Sequence, residues 1–218
     1  MSLWSALLDA LYPPRPTERL VRDARSEDVR ALIVPLMAGT AAEPVAALMP
    51  YRHPLAAALI REAKYHANEK AWTHLGEALA EYLTEFVAEE EAFAPSDFAL
   101  VPVPLSRERH RERTYNQAER IVASALTALS ITGAPHSNAL TRVRDTVSQT
   151  SLKRHERRAN VRDAFSAGAI STELTYVVID DVVTTGATLS EAARALREAG
   201  AARVISLALA YSQTDADV

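Results

Sequence analysis

Two adjacent carboxylates, Asp180-Asp181, stand between an apolar run, Tyr176-Val177-Val178-Ile179, and a hydroxyl-rich one, Thr184-Thr185-Gly186-Ala187-Thr188. The apolar run reads as a central strand. The acids follow at its C-terminal end, where open α/β sheets collect ligands. Neighbouring strand residues point to opposite faces, so one acid can meet a ligand while the other meets metal, solvent or a neighbour. Small hydroxyl side chains and a glycine then lead into a helix from Leu189 to Ala199, stopped by Gly200. Main-chain N–H groups at a helix start, a glycine that admits close approach and threonine hydroxyls together make an anion site. Acceptors beside such a cradle suit a phosphorylated polyol: the carboxylates take its hydroxyls and the loop takes its phosphate. The chain has no Gly-x-Gly-x-x-Gly run and no Walker A loop, which removes two other phosphate cradles.

Two basic segments are the next candidates. Val101-Pro102-Val103-Pro104-Leu105 ends a strand and opens onto Arg107, Arg109, Arg111 and Arg113, then Tyr115-Asn116-Gln117. Arginines at alternate positions share one side of an extended chain and spread around a helix. Both readings stay open, beside a merely solvated surface run. The second segment, from Arg142 to Arg162, carries Arg142, Arg144, Lys153, Arg154, Arg157, Arg158 and Arg162. A long polar stretch between strands is either a lid or an exposed helix of mixed charge. The two segments hold about half of the lysines and arginines in a chain of net charge −4, an asymmetry that asks for an anionic partner.

The elements that position these residues follow from periodicity. Leu55 to Ala92 is helical, with apolar residues three and four apart and a break at Asn68. Phe98 to Val103 reads as a strand, Gln117 to Leu129 as a helix, Ala139 to Arg142 as a short strand and Val204 to Ala210 as the last strand. Residues 29–37 and 44–51, apolar and bounded by Pro and Gly, read as short strands. Residues 1–16 form an amphipathic arm ended by prolines. Strand–helix–strand alternation with short links implies an α/β fold, a parallel sheet covered by helices. The turn at Pro95-Ser96-Asp97 divides an N-terminal arm and helical region (1–95) from a core (96–211), with a short tail (212–218).

Composition bounds the rest. The 218 residues suit one α/β domain, and 48% hydrophobic with 24% charged is a soluble globular balance. The chain has no cysteine, which rules out disulfides, thiolate zinc sites and a Cys nucleophile. The N-terminus lacks the basic start of a signal peptide, and no apolar run approaches the roughly 18 residues of a membrane span. A cytoplasmic protein without membrane partners is the expectation.

YVVIDDVVTTGAT, residues 176–188, resembles the phosphoribosyl-pyrophosphate-binding motif of type I phosphoribosyltransferases at every position. The stretch VPVPLSRERHRERTYNQAE, the second basic segment and the Asp-Asp motif together resemble the ComF family of phosphoribosyltransferase-like proteins. The likeness runs from about Tyr51 to Ala210 and includes Lys64-Tyr65 and Leu75 to Leu83. It implies a type I phosphoribosyltransferase-like parallel sheet flanked by helices, with an N-terminal hood or helical extension over the acceptor. By the same resemblance Asp180 and Asp181 meet the ribose 2′ and 3′ hydroxyls, directly or through Mg²⁺. Thr184, Thr185, Gly186, Ala187 and Thr188 hold the 5′-phosphate. Arg107, Arg109, Arg113 and Gln149 face the pyrophosphate, and Arg144, Gln149 and Arg157 lie in a loop that closes on the substrate. Asp180, Asp181, Arg144 and Arg157 are the catalytic set this implies. Two departures stand out: the four-cysteine zinc finger frequent in ComF proteins is missing, and Arg113-Thr114-Tyr115-Asn116-Gln117 has threonine where the family usually has glycine. No zinc is expected.

Three functions stay open on these residues. One is transfer of phosphoribose from phosphoribosyl pyrophosphate, with Mg²⁺, to a nitrogenous base that the sequence does not identify. One is a non-catalytic sensor of the same ligand. The third is a ComF-like accessory role in DNA uptake, which the acidic total charge and missing zinc finger disfavour. No general base is identified; His110 and His155 lie nearest. The sequence is compatible with a homodimer.

Overall fold

A computed structural model describes residues 13–40, 43–89, 98–130, 139–145 and 159–212. Five strands form one sheet in the order β1–β2–β7–β6–β3: β1 (Leu36–Thr40), β2 (Glu43–Pro50), β3 (Phe98–Pro102), β6 (Thr175–Val183) and β7 (Arg203–Tyr211). The last four in that order run parallel, and β1 folds back on β2 as an antiparallel edge. A separate antiparallel ribbon pairs β4 (Leu140–Arg142) with β5 (Phe165–Ala167). The described helices are α1 (Pro16–Asp23), α2 (Ser26–Arg30), α3 (Pro54–Tyr65), α4 (Glu69–Glu89), α5 (Arg107–Arg113), α6 (Gln117–Ala128) and α7 (Ala187–Glu198). None of them is long and apolar enough to cross a membrane.

The central strands are apolar almost throughout because helices cover both faces. On one face Val177, Ile179, Leu207 and Leu209 pack against Leu59, Ile60, Leu75, Leu79 and Ile121 of α3, α4 and α6. On the other, Tyr176, Val178 and Ala208 meet Leu189, Ala192 and Leu196 of α7, with Leu140 and Phe165 from the ribbon. Gly76 lets α4 and α6 touch, since a Cβ there would fall 2.4 Å from the Ser124 Cβ. α7 ends as its sequence requires: Gly200 takes φ +106, and the Gly200 and Ala201 N–H groups donate to the carbonyls of Arg197 and Leu196.

The apolar runs locate most elements, with two corrections. Residues 29–37 are not one strand. The polar turn Ser26-Glu27-Asp28 starts α2, whose Val29 is buried, and the Asp28 carboxylate accepts from the Arg25 N–H at 2.9 Å. The strand then begins only at Leu36, after Pro35, which has no N–H to give a ladder. The second correction concerns β6, which does not stop at Ile179. Pairing continues to Val183, with Asp180 opposite Ala208 of β7, so both acids lie within the strand. The sheet also takes strands from both sides of residue 95, because β2 pairs with β7.

Candidate functional site

The site starts where β6 runs into α7. Gly186 holds φ +78 as the residue that opens α7, a left-handed position that suits glycine. A Cβ on Gly186 would lie 3.2 Å from the Cα of Gly39, so the loop is packed directly on the β1–β2 hairpin. Asp180, Thr184, Gly186, Ala187 and Thr188 line a small polar cleft that opens to solvent. The expected phosphate loop and the first acid therefore share one cavity. Thr185 Oγ1 is buried with no hydrogen-bond partner among the described residues. Thr185 itself does not line the cleft.

The two acids divide by face. Asp181 is buried, and its Oδ2 accepts from Lys64 Nζ at 2.7 Å and from Gln117 Nε2 at 2.9 Å. Burial pushes the Asp181 carboxyl up, but Lys64, Gln117 and Arg113 outweigh it and hold the group below the usual range. The same pair acts on Lys64, where Asp181 overcomes burial and keeps the ammonium charged. Asp180 turns to the other face and is half-buried at the cleft. Its Oδ1 accepts from the Asp181 N–H at 2.8 Å. Burial and the neighbouring Asp181 push its carboxyl up to about 6, against the pull of Lys64 and Arg109. The acids titrate as a pair, and the direction follows from geometry: Asp181 has a close cation and stays ionised, while Asp180 takes the penalty.

The first basic segment is helical. Ser106 caps α5 by accepting from the Arg109 N–H at 3.3 Å, and the helix spreads its arginines. Arg109 and Arg113, one turn apart, are half-buried toward the acids, while Arg107 and Arg111 are exposed. Arg109 acts on Asp180. Arg113 donates to Gln117 Oε1 at 3.1 Å and lies over the Tyr65 ring at 5.0 Å, so it buttresses the Asp181 side. The Arg107 side chain is not brought to the cleft; its main-chain N–H donates to Asp145 Oδ1 at 3.0 Å. His110 is exposed.

Arg144 donates through Nη2 to the carbonyls of Asn160 and Arg162. It clasps the two ends of the segment between them. Gln149, Arg157 and His155 lie outside the described residues. The far end of that segment is tied to α7: buried Glu191 accepts from the Asp163 N–H at 2.6 Å and pairs with Arg194.

Two residues with no assigned role in the sequence reading belong here. Arg142, at the end of β4, sits over Phe165 at 5.3 Å and interacts electrostatically with Arg109 and Asp180; burial, with Arg109, lowers its pKa. Its position between a strand and the polar segment was the available signal. Lys64 is the other. Its partner lies 117 residues away in sequence, so only the fold joins them.

Among the described residues no three His, Cys, Asp or Glu side chains gather as a metal site. Among the described residues Asp180 alone lines the cleft as a carboxylate. That fits Mg²⁺, which commonly binds one or two carboxylates and otherwise substrate phosphates and water.

Residues 108–217 match the phosphoribosyl transferase domain. Competence protein F of Haemophilus influenzae is 37% identical over 105 residues, 47% of this chain and 45% of that protein. The DNA utilization protein YhgH of Salmonella typhi is 35% identical over 134 residues, covering 61% and 58%. Competence protein ComFC of Bacillus subtilis is 36% identical over 117 residues, covering 53% and 45%. The chain spans about half the length of the curated relatives it matches.

Proposed function

Because this chain belongs to the phosphoribosyl transferase domain family, as a phosphoribosyltransferase-like protein of the ComF type, we propose that it binds phosphoribosyl pyrophosphate with Mg²⁺. The observation that carries this reading is the cleft shared by Asp180 and the 184–188 loop. In it the 5′-phosphate takes the N–H groups that open α7 and the threonine hydroxyls. The ribose hydroxyls take Asp180. Arg109 and Arg142 stand on the Asp180 face and would neutralise the pyrophosphate.

If transfer occurs, the C1–oxygen bond breaks and pyrophosphate leaves with the electron pair. A nitrogen of the acceptor base supplies the pair for the new C1–N bond. Bound Mg²⁺ supplies charge neutralisation on the leaving oxygens. The chain's own part is to hold the phosphate and ribose and to offer fixed cations where charge develops. The segment clasped by Arg144 would exclude water, with Gln149 and Arg157 as its proposed contacts. Part of the first 95 residues would receive the acceptor base. A cytoplasmic location goes with this reading.

Calorimetry with Mg²⁺ and phosphoribosyl pyrophosphate tests it. Wild type is expected to bind, and Asp180→Asn and Thr188→Val each to lose about 10-fold or more, since a charged hydrogen bond contributes roughly 1.5–3 kcal/mol. Absence of wild-type binding would sink the proposal. Release of pyrophosphate with a panel of bases then separates an enzyme from a sensor.

A second reading comes from the names of the relatives, which point to competence and DNA utilization. The exposed Arg107 and Arg111 would suit a nucleic-acid phosphate backbone. A gel shift at low salt is the test, and no shift there removes this reading.

A further inference from the structure

We infer that the groove between α2, α4 and the end of α6 is a second ligand site that takes a linear aliphatic polyamine, with His74 in its floor and Glu77, Glu81 and Glu85 along one wall. The site does not depend on the phosphoribosyl pyrophosphate reading.

The wall follows from the sequence of α4. His74, Glu77, Glu81 and Glu85 succeed one another at steps of three, four and four residues, which keeps them on one face of the helix. The carboxylates therefore recur about every 6 Å along the axis. Glu77 accepts from the Ser26 hydroxyl at 2.9 Å, and Glu81 pairs with Arg30 at 2.7 Å. Among the described residues Glu81 alone of the three pairs with an arginine or lysine, so the wall keeps a negative excess.

His74 is 5% exposed, and neither of its ring nitrogens has a hydrogen-bond partner among the described residues. Nδ1 lies 3.5 Å from Glu77 Oε2, outside hydrogen-bond geometry but close enough for the carboxylate to favour the tautomer with its proton on Nδ1. Nε2 is then an acceptor, and a buried acceptor calls for a donor. An ammonium N–H supplies one. Ala128 and Leu129 bring the end of α6 to the groove, where the last carbonyls of a helix favour a cation. Val29, Ala78 and Ala80 give apolar surface that suits methylenes. The lining comes from helices, whose main chain bonds to itself, so the groove has no ladder to offer a peptide backbone. Spaced carboxylates, one buried acceptor and apolar surface between them match amines joined by short methylene chains. The donor cleft shares no lining residue with this groove. Gln117, at the start of α6, meets Asp181, whereas Ala128 lies about 16 Å further along that helix.

Calorimetric titration of the full chain with spermidine, with thermal melts to confirm folding, tests this on wild type, Glu77→Gln, Glu85→Gln, His74→Gln and Glu173→Gln. Glu173 is an exposed acid outside the groove. Wild type should bind at one saturable site. Glu77→Gln should weaken binding about 10-fold, as the loss of a charge-assisted hydrogen bond. The more exposed Glu85→Gln should weaken it about threefold. Glu173→Gln should leave it unchanged. The ring nitrogen resonances of His74, assigned by their absence in His74→Gln, should shift when spermidine is added to wild type. If His74→Gln does not fold, the two groove glutamates against Glu173 still decide. No saturable binding, an equal loss in Glu173→Gln, or His74 resonances that do not move would overturn the inference, leaving the groove to water or the attraction to diffuse surface charge. Binding of pentalysine without binding of spermidine would also overturn it, in favour of a basic protein segment.

Discussion

Thr114 ends α5 at φ +63, where the family usually has glycine. A β-branched residue in the left-handed region costs about 1–2 kcal/mol. The surroundings hold it there: its N–H donates to the His110 carbonyl and its hydroxyl to the Arg113 carbonyl at 2.6 Å. Next to it the Tyr115 hydroxyl donates to the Ala63 carbonyl and accepts from the Ala67 N–H, which locks the turn to the end of α3. The backbone expected of glycine is thus kept by contacts. Thr114→Gly should relieve the strain and lose a little to the freer unfolded chain, for a net gain of about 0.5–1 kcal/mol. The urea midpoint should rise with the slope unchanged; a fall would mean that the threonine hydroxyl outweighs the strain.

At the scale of elements, α1 is fastened to α3 through a single buried acid. Glu62 accepts from Arg15 Nη2 at 2.8 Å and from the Thr17 hydroxyl at 2.6 Å. Burial raises the Glu62 pKa, but these donors outweigh it and hold the carboxyl below its ordinary 4.5. A depressed carboxyl stabilises the fold above its unfolded pKa, and that contribution fades as pH falls from 4.5 through the lower folded value. Glu62→Gln should therefore cost about 2 kcal/mol at pH 7 and progressively less below pH 4.5. Denaturation curves at several pH values would read this, and a pH-independent difference would count against it. The elements themselves were largely legible. α3, α4, α6, α7 and β7 followed from apolar spacing, because each helix buries one stripe against a face of the sheet and β7 buries both of its faces. The strand expected at 29–37 failed because apolar content cannot separate a short buried helix turn from a strand; Val29 is buried in either. The phosphate loop was legible because its chemistry is local in sequence. Lys64 and Arg142 were not, since tertiary packing alone brings them to the acids.

Across the whole molecule, the proposed ligand's two charged ends would fall to different parts of the chain. On that reading the loop that opens α7 would take one end, and Arg109 of α5 and Arg142 of β4, which both act on Asp180, would take the other. The loop is also packed on the β1–β2 hairpin through Gly39 and Gly186, and Glu191 ties α7 to the stem beyond residue 158. A ligand that spans the cleft should hence couple the sheet, α5, α7 and the ribbon into one unit. Binding to the folded state alone stabilises by about 2.7 kcal/mol at a ligand concentration of 100 Kd. For a chain of this size each kcal/mol is worth about 2–4 °C. Phosphoribosyl pyrophosphate with Mg²⁺ should therefore raise the melting temperature by roughly 5–10 °C at that concentration. Ribose 5-phosphate and pyrophosphate, each holding one end, should shift it less at equal concentration. Asp180→Asn should shrink the response to ribose 5-phosphate and leave the response to pyrophosphate largely intact, because the carboxylate serves the ribose while the arginines serve the leaving group. Equal shifts from ribose 5-phosphate and the full ligand would show that the arginines do not take part, and would detach the pyrophosphate half of the site from the phosphate loop.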